Sequence, residues 1–183
     1  HLFNIPDDVT YLNCAYISPS LKSVTKAGRQ GMGKKSQPWT ITPPDFFKES
    51  EEARSLFCQI IGSSSEDIAI IPAVSYGIAT AILNLPIKKN ENVVVLEEQF
   101  PSNYYGWVEN VKRADGELIV VSRPEEGSLT TAVLTAINEK TAVVALPNCH
   151  WTDGVVIDLL EVSTKCRQCG AALVLDLAQS AGA

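Results

Sequence analysis

Several absences narrow this sequence before any residue is given a role. No run approaches the ~20 consecutive apolar residues that cross a bilayer. Basic residues are outnumbered, 15 Lys and Arg against 21 Asp and Glu, for a formal net charge of −6. With no basic excess or stripe, a dedicated nucleic-acid binder is excluded. No GxGxxG follows the first strand of the alternation described below, and no GxxxxGK[ST] occurs anywhere, so the common nucleotide cradles are missing. No GxSxG elbow is present, and a Ser-His-Asp triad would rest on His150 alone, because there are only 2 histidines. The cysteines, Cys14, Cys58, Cys149, Cys166 and Cys169, are odd in number and scattered, unlike a disulfide framework. Cys166 and Cys169 form the one close pair, and without a second pair or a nearby His they are weak evidence for zinc. Free thiols, and hence a cytoplasmic protein, are the expectation.

What is present is a 183-residue chain of 45% hydrophobic content, enough to bury one core and too apolar for disorder. The first forty residues are irregular, broken by Pro6, Pro19, Pro38, Pro43 and Pro44. Residues 21–35 fit a helix, and Pro43-Pro44-Asp45 opens a clearer one that Gly62 stops. From residue 66 the rhythm changes. Apolar runs at 68–71, 93–96, 118–121, 142–146 and 172–175 read as strands, with helices at 75–85, 102–113, 129–137 and 159–169 between them. The runs are continuously apolar, as strands covered on both faces are. The expected fold class is therefore α/β, a three-layer sandwich with a mainly parallel sheet. The expected organisation is an irregular or helical arm over 1–45, then part of a larger domain over 46–183.

In such folds ligands bind beyond the carboxyl ends of the strands. Four segments lie there. Ala73-Val74-Ser75 joins a strand to a helix, with Ser75 placed to cap it; the reading is a bare cap or an anion at the helix start. Phe100 is either a core side chain or a stacking ring. His150, Trp151, Thr152 and Asp153 crowd one loop, and His150 could hydrogen-bond a ligand. Asp176 ends a buried strand, where a carboxylate needs a cationic or hydrogen-bonding partner, and Gln179 follows on the next turn. Taken together, the four ask for a phosphate, a flat ring, a protonated ring nitrogen and a ring hydroxyl. Pyridoxal 5′-phosphate (PLP) has all of these, and its chemistry wants a carboxylate at the pyridinium nitrogen.

At this point the sequence resembles the class V aminotransferase group of fold-type-I PLP enzymes, which includes cysteine desulfurases, selenocysteine lyases, kynureninases and isopenicillin-epimerase-like proteins. Asp176-Leu177-Ala178-Gln179-Ser180-Ala181-Gly182-Ala183 is similar to the group's D-x-x-Q-S-x-G-A segment. Tyr11 to Pro19 resembles its Y-L-N-x-A-x-x-x-P entry, and Glu98 to Trp107, with one more residue before Ser102, its E-x-x-S-N-x-x-x-W block. The resemblance implies that Asp176 pairs with the pyridinium nitrogen, Gln179 bonds the ring hydroxyl and Phe100 stacks on the ring. It implies that Val74 and Ser75 hold the phosphate, that His150, Trp151 and Thr152 lie at the cofactor or substrate, and that Asn13 and Tyr16 line the substrate side. The loop at Trp151-Thr152-Asp153-Gly154 departs from the group's S-N-x-T-G.

The Schiff-base lysine of the group follows the Asp segment in an S-x-H-K-like motif, whereas every lysine here, from Lys22 to Lys165, precedes Asp176. The expectation is therefore an N-terminal fragment, inactive by itself and lacking the small C-terminal domain. Its parent would be a homodimeric enzyme acting at the α-carbon of an amino acid by transamination, elimination, epimerisation or desulfuration. The rival expectations are a non-catalytic α/β domain kept for binding or assembly, and a nucleotide-binding α/β domain.

Overall fold

The computed structural model describes residues 1–182; Ala183, the last residue of the Asp176 motif, lies outside the described residues. The chain divides into two compact units, one over His1–Ile70 and one over Ile71–Ala181.

The first unit carries helices α1 (Lys22–Lys34) and α2 (Asp45–Ile61), close to the bounds expected from sequence. Neither helix has a buried residue. Local hydrogen bonds hold their ends instead. The Asp45 carboxylate accepts from the Thr42 N–H and hydroxyl at 2.8 and 2.7 Å, which fixes the start of α2. Gly62 stops α2 in the left-handed region, φ +67°, where a residue without Cβ pays no steric penalty. Arg54 donates from Nε to the Ile68 carbonyl at 2.8 Å, tying α2 to the chain that follows it.

The second unit is an α/β sandwich. Its elements are α3 (Val74–Asn84), β1 (Asn92–Leu96), α4 (Tyr105–Ala114), β2 (Glu117–Val121), α5 (Leu129–Ala136), β3 (Thr141–Pro147), α6 (Leu159–Cys169) and β4 (Ala172–Asp176). The four strands form one sheet of order β2-β1-β3-β4, and every pairing is parallel.

Strand side chains alternate between faces, so each strand feeds two cores. Val94, Leu96, Val144 and Leu146 pack with Leu129, Val133 and Ile137 of the α5 region and with Val162 and Cys166 of α6. Val93, Val95, Val143 and Ala145 pack on the other side with Trp107 and Val111 of α4. That accounts for the unbroken apolar runs: β1 is buried at all five positions. Each such Val or Leu contributes about 1.5–3 kcal/mol relative to leaving it exposed. Burial also pushes the Cys166 thiol pKa up, so this cysteine acts as a core residue. Gly116 lets the α4–β2 turn close, because a Cβ there would meet the Glu91 carbonyl oxygen at 2.7 Å.

Three local expectations are corrected. Residues 68–71 are not a strand; Ile68 is extended, φ −107°, but no described strand pairs with the segment, and strand identity requires a partner. Ser75 does not cap α3. Ala73 is the N-cap, no side chain caps the helix, and Ser75 sits inside the first turn. Nor does Ser102 open α4; Pro101–Asn103 form a 3-10 turn and α4 begins at Tyr105. By contact α2 groups with the first unit, which ends at Ile70.

Candidate functional site

Because β1 to β4 are parallel, Leu96, Val121, Pro147 and Asp176 all end at one edge of the sheet. The segments that leave these strands are therefore neighbours, and their hydrogen bonds connect them.

The turn after β1 is held from three directions. The Gln99 amide, 7% exposed, donates to the Ala145 carbonyl on β3 at 3.3 Å, and its oxygen accepts the Phe100 N–H at 3.2 Å. The His150 Nε2 lies 3.2 Å from the Glu97 carbonyl. The Trp151 indole N–H donates to the Glu98 carbonyl at 2.7 Å. Two consecutive residues thus hold two consecutive carbonyls. Between them Glu98 sits at φ +52°, a left-handed conformation that a non-glycine residue adopts at a cost of about 1 kcal/mol or more.

Phe100 emerges from this turn 41% exposed, with Trp151 edge-on to it at a centroid distance of 5.5 Å and an interplanar angle of 86°. The ring is available to a ligand, and its tilt is limited by the indole. Beneath it, Asn103 and Trp107 are fully buried; the Trp107 N–H donates to Asn103 Oδ1 at 3.1 Å. The Asn103 N–H in turn donates to the Phe100 carbonyl at 2.9 Å, closing the 3-10 turn.

In the loop after β3, His150 is 1% exposed and both its ring nitrogens are engaged by protein groups. Thr152 places its hydroxyl 2.8 Å from His150 Nδ1. Asp153 accepts from the Val155 N–H at 3.0 Å and pairs with Arg123. The Val155 hydrogen bond, followed by Arg123, holds the Asp153 carboxyl below the usual carboxylate range.

Asp176 is 8% exposed at the end of β4, opposite Pro147 of β3. One carboxylate oxygen accepts the Ala178 N–H at 3.2 Å. No cationic side chain pairs with it among the described residues. Gln179, half-buried, lies in the turn that follows, where the Ser180 and Ala181 N–H groups both reach the Leu177 carbonyl.

The structure thus joins Phe100, His150, Trp151 and Thr152 in one bonded group and sets Asp176 at the same sheet edge. Val74 and Ser75 open α3, which packs against α4 and the 3-10 turn after Phe100. Asn13 and Tyr16 belong to the first unit and are exposed, on a loop closed by the Tyr11 hydroxyl donating to the Ile17 carbonyl at 2.7 Å. Sequence reading missed Arg123. It stands two residues past β2, and the strand-end rule applied to β2 as well would have found it.

Comparison with known proteins gives one consistent result. The model of the family described as aminotransferase class-V matches residues 43–183. The uncharacterized aminotransferase YcbU of Bacillus subtilis is 28% identical over 137 residues, covering 74% of this chain and 36% of that protein. Kynureninase 1 of Chaetomium globosum is 24% identical over 170 residues, covering 85% and 33%. Among solved structures, a C-DES mutant with glycine covalently linked to the PLP cofactor superposes with a TM-score of 0.81 at 16% identity. That superposition covers 96% of this chain and 48% of the other, and it shows a shared fold. The chain thus spans about a third of the length of the curated relatives it matches.

Proposed function

The chain belongs to the class-V aminotransferase family, whose enzymes are PLP-dependent, and from that premise we propose that residues 71–181 form part of a PLP site in an enzyme acting at the α-carbon of an amino acid.

The observation that carries this reading is Asp176. A carboxylate that is nearly buried and has no cationic partner among the described residues is costly unless a bound group supplies the countercharge. A pyridinium N–H would do so. The remaining donors fit the same molecule. Phe100 offers an exposed aromatic face. The first turn of α3, at Val74 and Ser75, presents unpaired N–H groups and the positive helix end to a phosphate. Gln179 adjoins Asp176 and would reach the ring hydroxyl.

When bound, PLP supplies an electron sink for the bond broken at the α-carbon. The residues of this chain then have separate tasks. Asp176 holds a proton on the ring nitrogen. Phe100 covers one face of the ring and keeps water from it. Trp151, edge-on to Phe100, would border that face, while Thr152 bonds His150, which secures the loop that carries them both. The branch, whether transaminase, lyase, epimerase or desulfurase, depends on residues that touch substrate. The five free cysteines support a reducing, cytoplasmic setting, and the exposed apolar side chains of the first unit, among them Trp39, Phe46 and Phe47, support a homodimer. Among the described residues no helix is long and apolar enough to cross a membrane.

The test uses pyridoxine 5′-phosphate, which has the ring and phosphate but no aldehyde to react with surface lysines. Titration should quench tryptophan fluorescence, because Trp151 borders the ring site. Phe100→Ala should weaken binding by about threefold to tenfold, the worth of an aromatic stack, and Asp176→Ala should weaken it more. Equal affinity in Asp176→Ala and the unaltered chain would overturn the reading.

A further inference from the structure

Arg123 takes no part in the cofactor site proposed above, yet it reaches into the group that supports that site. Its guanidinium Nη2 lies 3.3 Å from His150 Nδ1, while Nη1 pairs with Asp153. The Thr152 hydroxyl and N–H approach the same His150 nitrogen at 2.8 and 3.4 Å. On the far side of the ring, Nε2 faces the Glu97 carbonyl at 3.2 Å.

The Asp153 carboxylate, 3.9 Å from Nδ1, is beyond hydrogen-bond distance, and the nearer partners leave one consistent placement of the ring proton. A guanidinium only donates and a carbonyl only accepts. His150 must therefore offer a lone pair at Nδ1 and a proton at Nε2. The reversed tautomer would set N–H against the Arg123 donor and a lone pair against the Glu97 carbonyl, losing two interactions inside a fully buried ring. With the proton on Nε2, His150 anchors Glu97, the first residue of the turn that leads through left-handed Glu98 to Phe100.

We propose that Arg123 is a positioning residue: it fixes the Nε2–H tautomer of His150 and thereby holds the Glu97–Phe100 turn in the conformation that presents the Phe100 ring. This rests on the PLP reading only for its purpose; the tautomer itself follows from the geometry. The link runs from the end of β2, through the loop after β3, to the turn after β1, so one side chain coordinates three strand ends. Asp153 orients the guanidinium through its own pair.

The chain has only 2 histidines, His1 and His150, so long-range 1H–15N correlation spectra of 15N-labelled protein separate their ring signals. The expected spectrum shows a protonated Nε2 and an unprotonated Nδ1 for His150. In Arg123→Gln, whose amide can accept as well as donate, the second tautomer should become populated, and pyridoxine 5′-phosphate binding should weaken by about threefold. Arg123→Lys, which keeps a donor-only cation, should restore both. A proton on Nδ1 in the unaltered chain overturns the proposal, and that spectrum decides even if a variant fails to fold. An unchanged His150 signal in folded Arg123→Gln also overturns it. The expected tautomer in a chain that does not bind pyridoxine 5′-phosphate supports the Arg123–His150 assignment and overturns the cofactor reading instead.

Discussion

The two units of this chain reach regular structure by different means. In the second, strand side chains vanish into two cores: Val93, Val94 and Val95 are all 0% exposed. In the first, α2 exposes Phe46 at 74%, Phe47 at 67% and Ile60 at 64%, and no residue of either helix is buried. One unit is held by area removed from water, the other by caps and side-chain-to-backbone hydrogen bonds such as Asp45 to Thr42 and Arg54 to Ile68. Apolar composition alone does not make a core; α2 is as rich in Phe, Leu and Ile as the strands are in Val.

The sharpest test of that contrast exchanges large side chains for Ala in each unit. Trp107→Ala should cost about 3–5 kcal/mol, since the indole is fully buried and also loses its hydrogen bond to Asn103. Phe47→Ala should stay within about 0.5 kcal/mol. Urea unfolding measures both, and a cost for Phe47→Ala approaching that of Trp107→Ala would erase the contrast.

A middle-sized effect is expected at Gly62. An added Cβ there meets nothing within 4 Å, so Gly62→Ala pays only the left-handed backbone penalty of about 1–2 kcal/mol. Gly116→Ala in the second unit adds a clash with the Glu91 carbonyl and should cost more by the same measurement. If the two cost the same, close packing does not distinguish the units at their turns.

The smallest effect is the acid response. Asp45 is held below the usual carboxylate pKa first by the Thr42 hydroxyl and then by its N–H; Asp153 first by the Val155 N–H. A depressed folded pKa gives stability that is present above the unfolded value and lost as pH falls through the folded one. Asp45→Asn and Asp153→Asn should each flatten the loss of stability that sets in as pH falls below about 4 and continues through the lower folded value. Urea midpoints across that range report it, and an unflattened acid limb in both variants would show that neither hydrogen bond acts on stability.

Much of the second unit was legible because a fully covered strand leaves an unbroken apolar run. The runs at 93–96 and 142–146 fall inside β1 and β3. The run at 68–71 has the same composition and is no strand, because pairing is a property of a neighbour and not of the run itself. Helix starts slipped where the first turn offered competing chemistry. Pro101-Ser102-Asn103 form a 3-10 turn before α4, and Ser75 lies two residues past the N-cap of α3. Asp176, Gln179 and Phe100 were legible as strand-end residues. The carbonyl clamp of His150 and Trp151 was not, since it joins residues 53 apart through backbone groups that carry no sequence signal. Arg123 likewise acquires meaning only once β2 lies beside β1.

β4 closes one side of the sheet, and it is paired only with β3 among the described residues. Its outer row of N–H and C=O groups is a template for another strand. Ala172, Leu173, Val174 and Leu175 place no lysine, proline or bulge along it, the devices that usually discourage such growth. A further parallel strand laid beside it would be held by the same kind of hydrogen-bond ladder that joins β4 to β3.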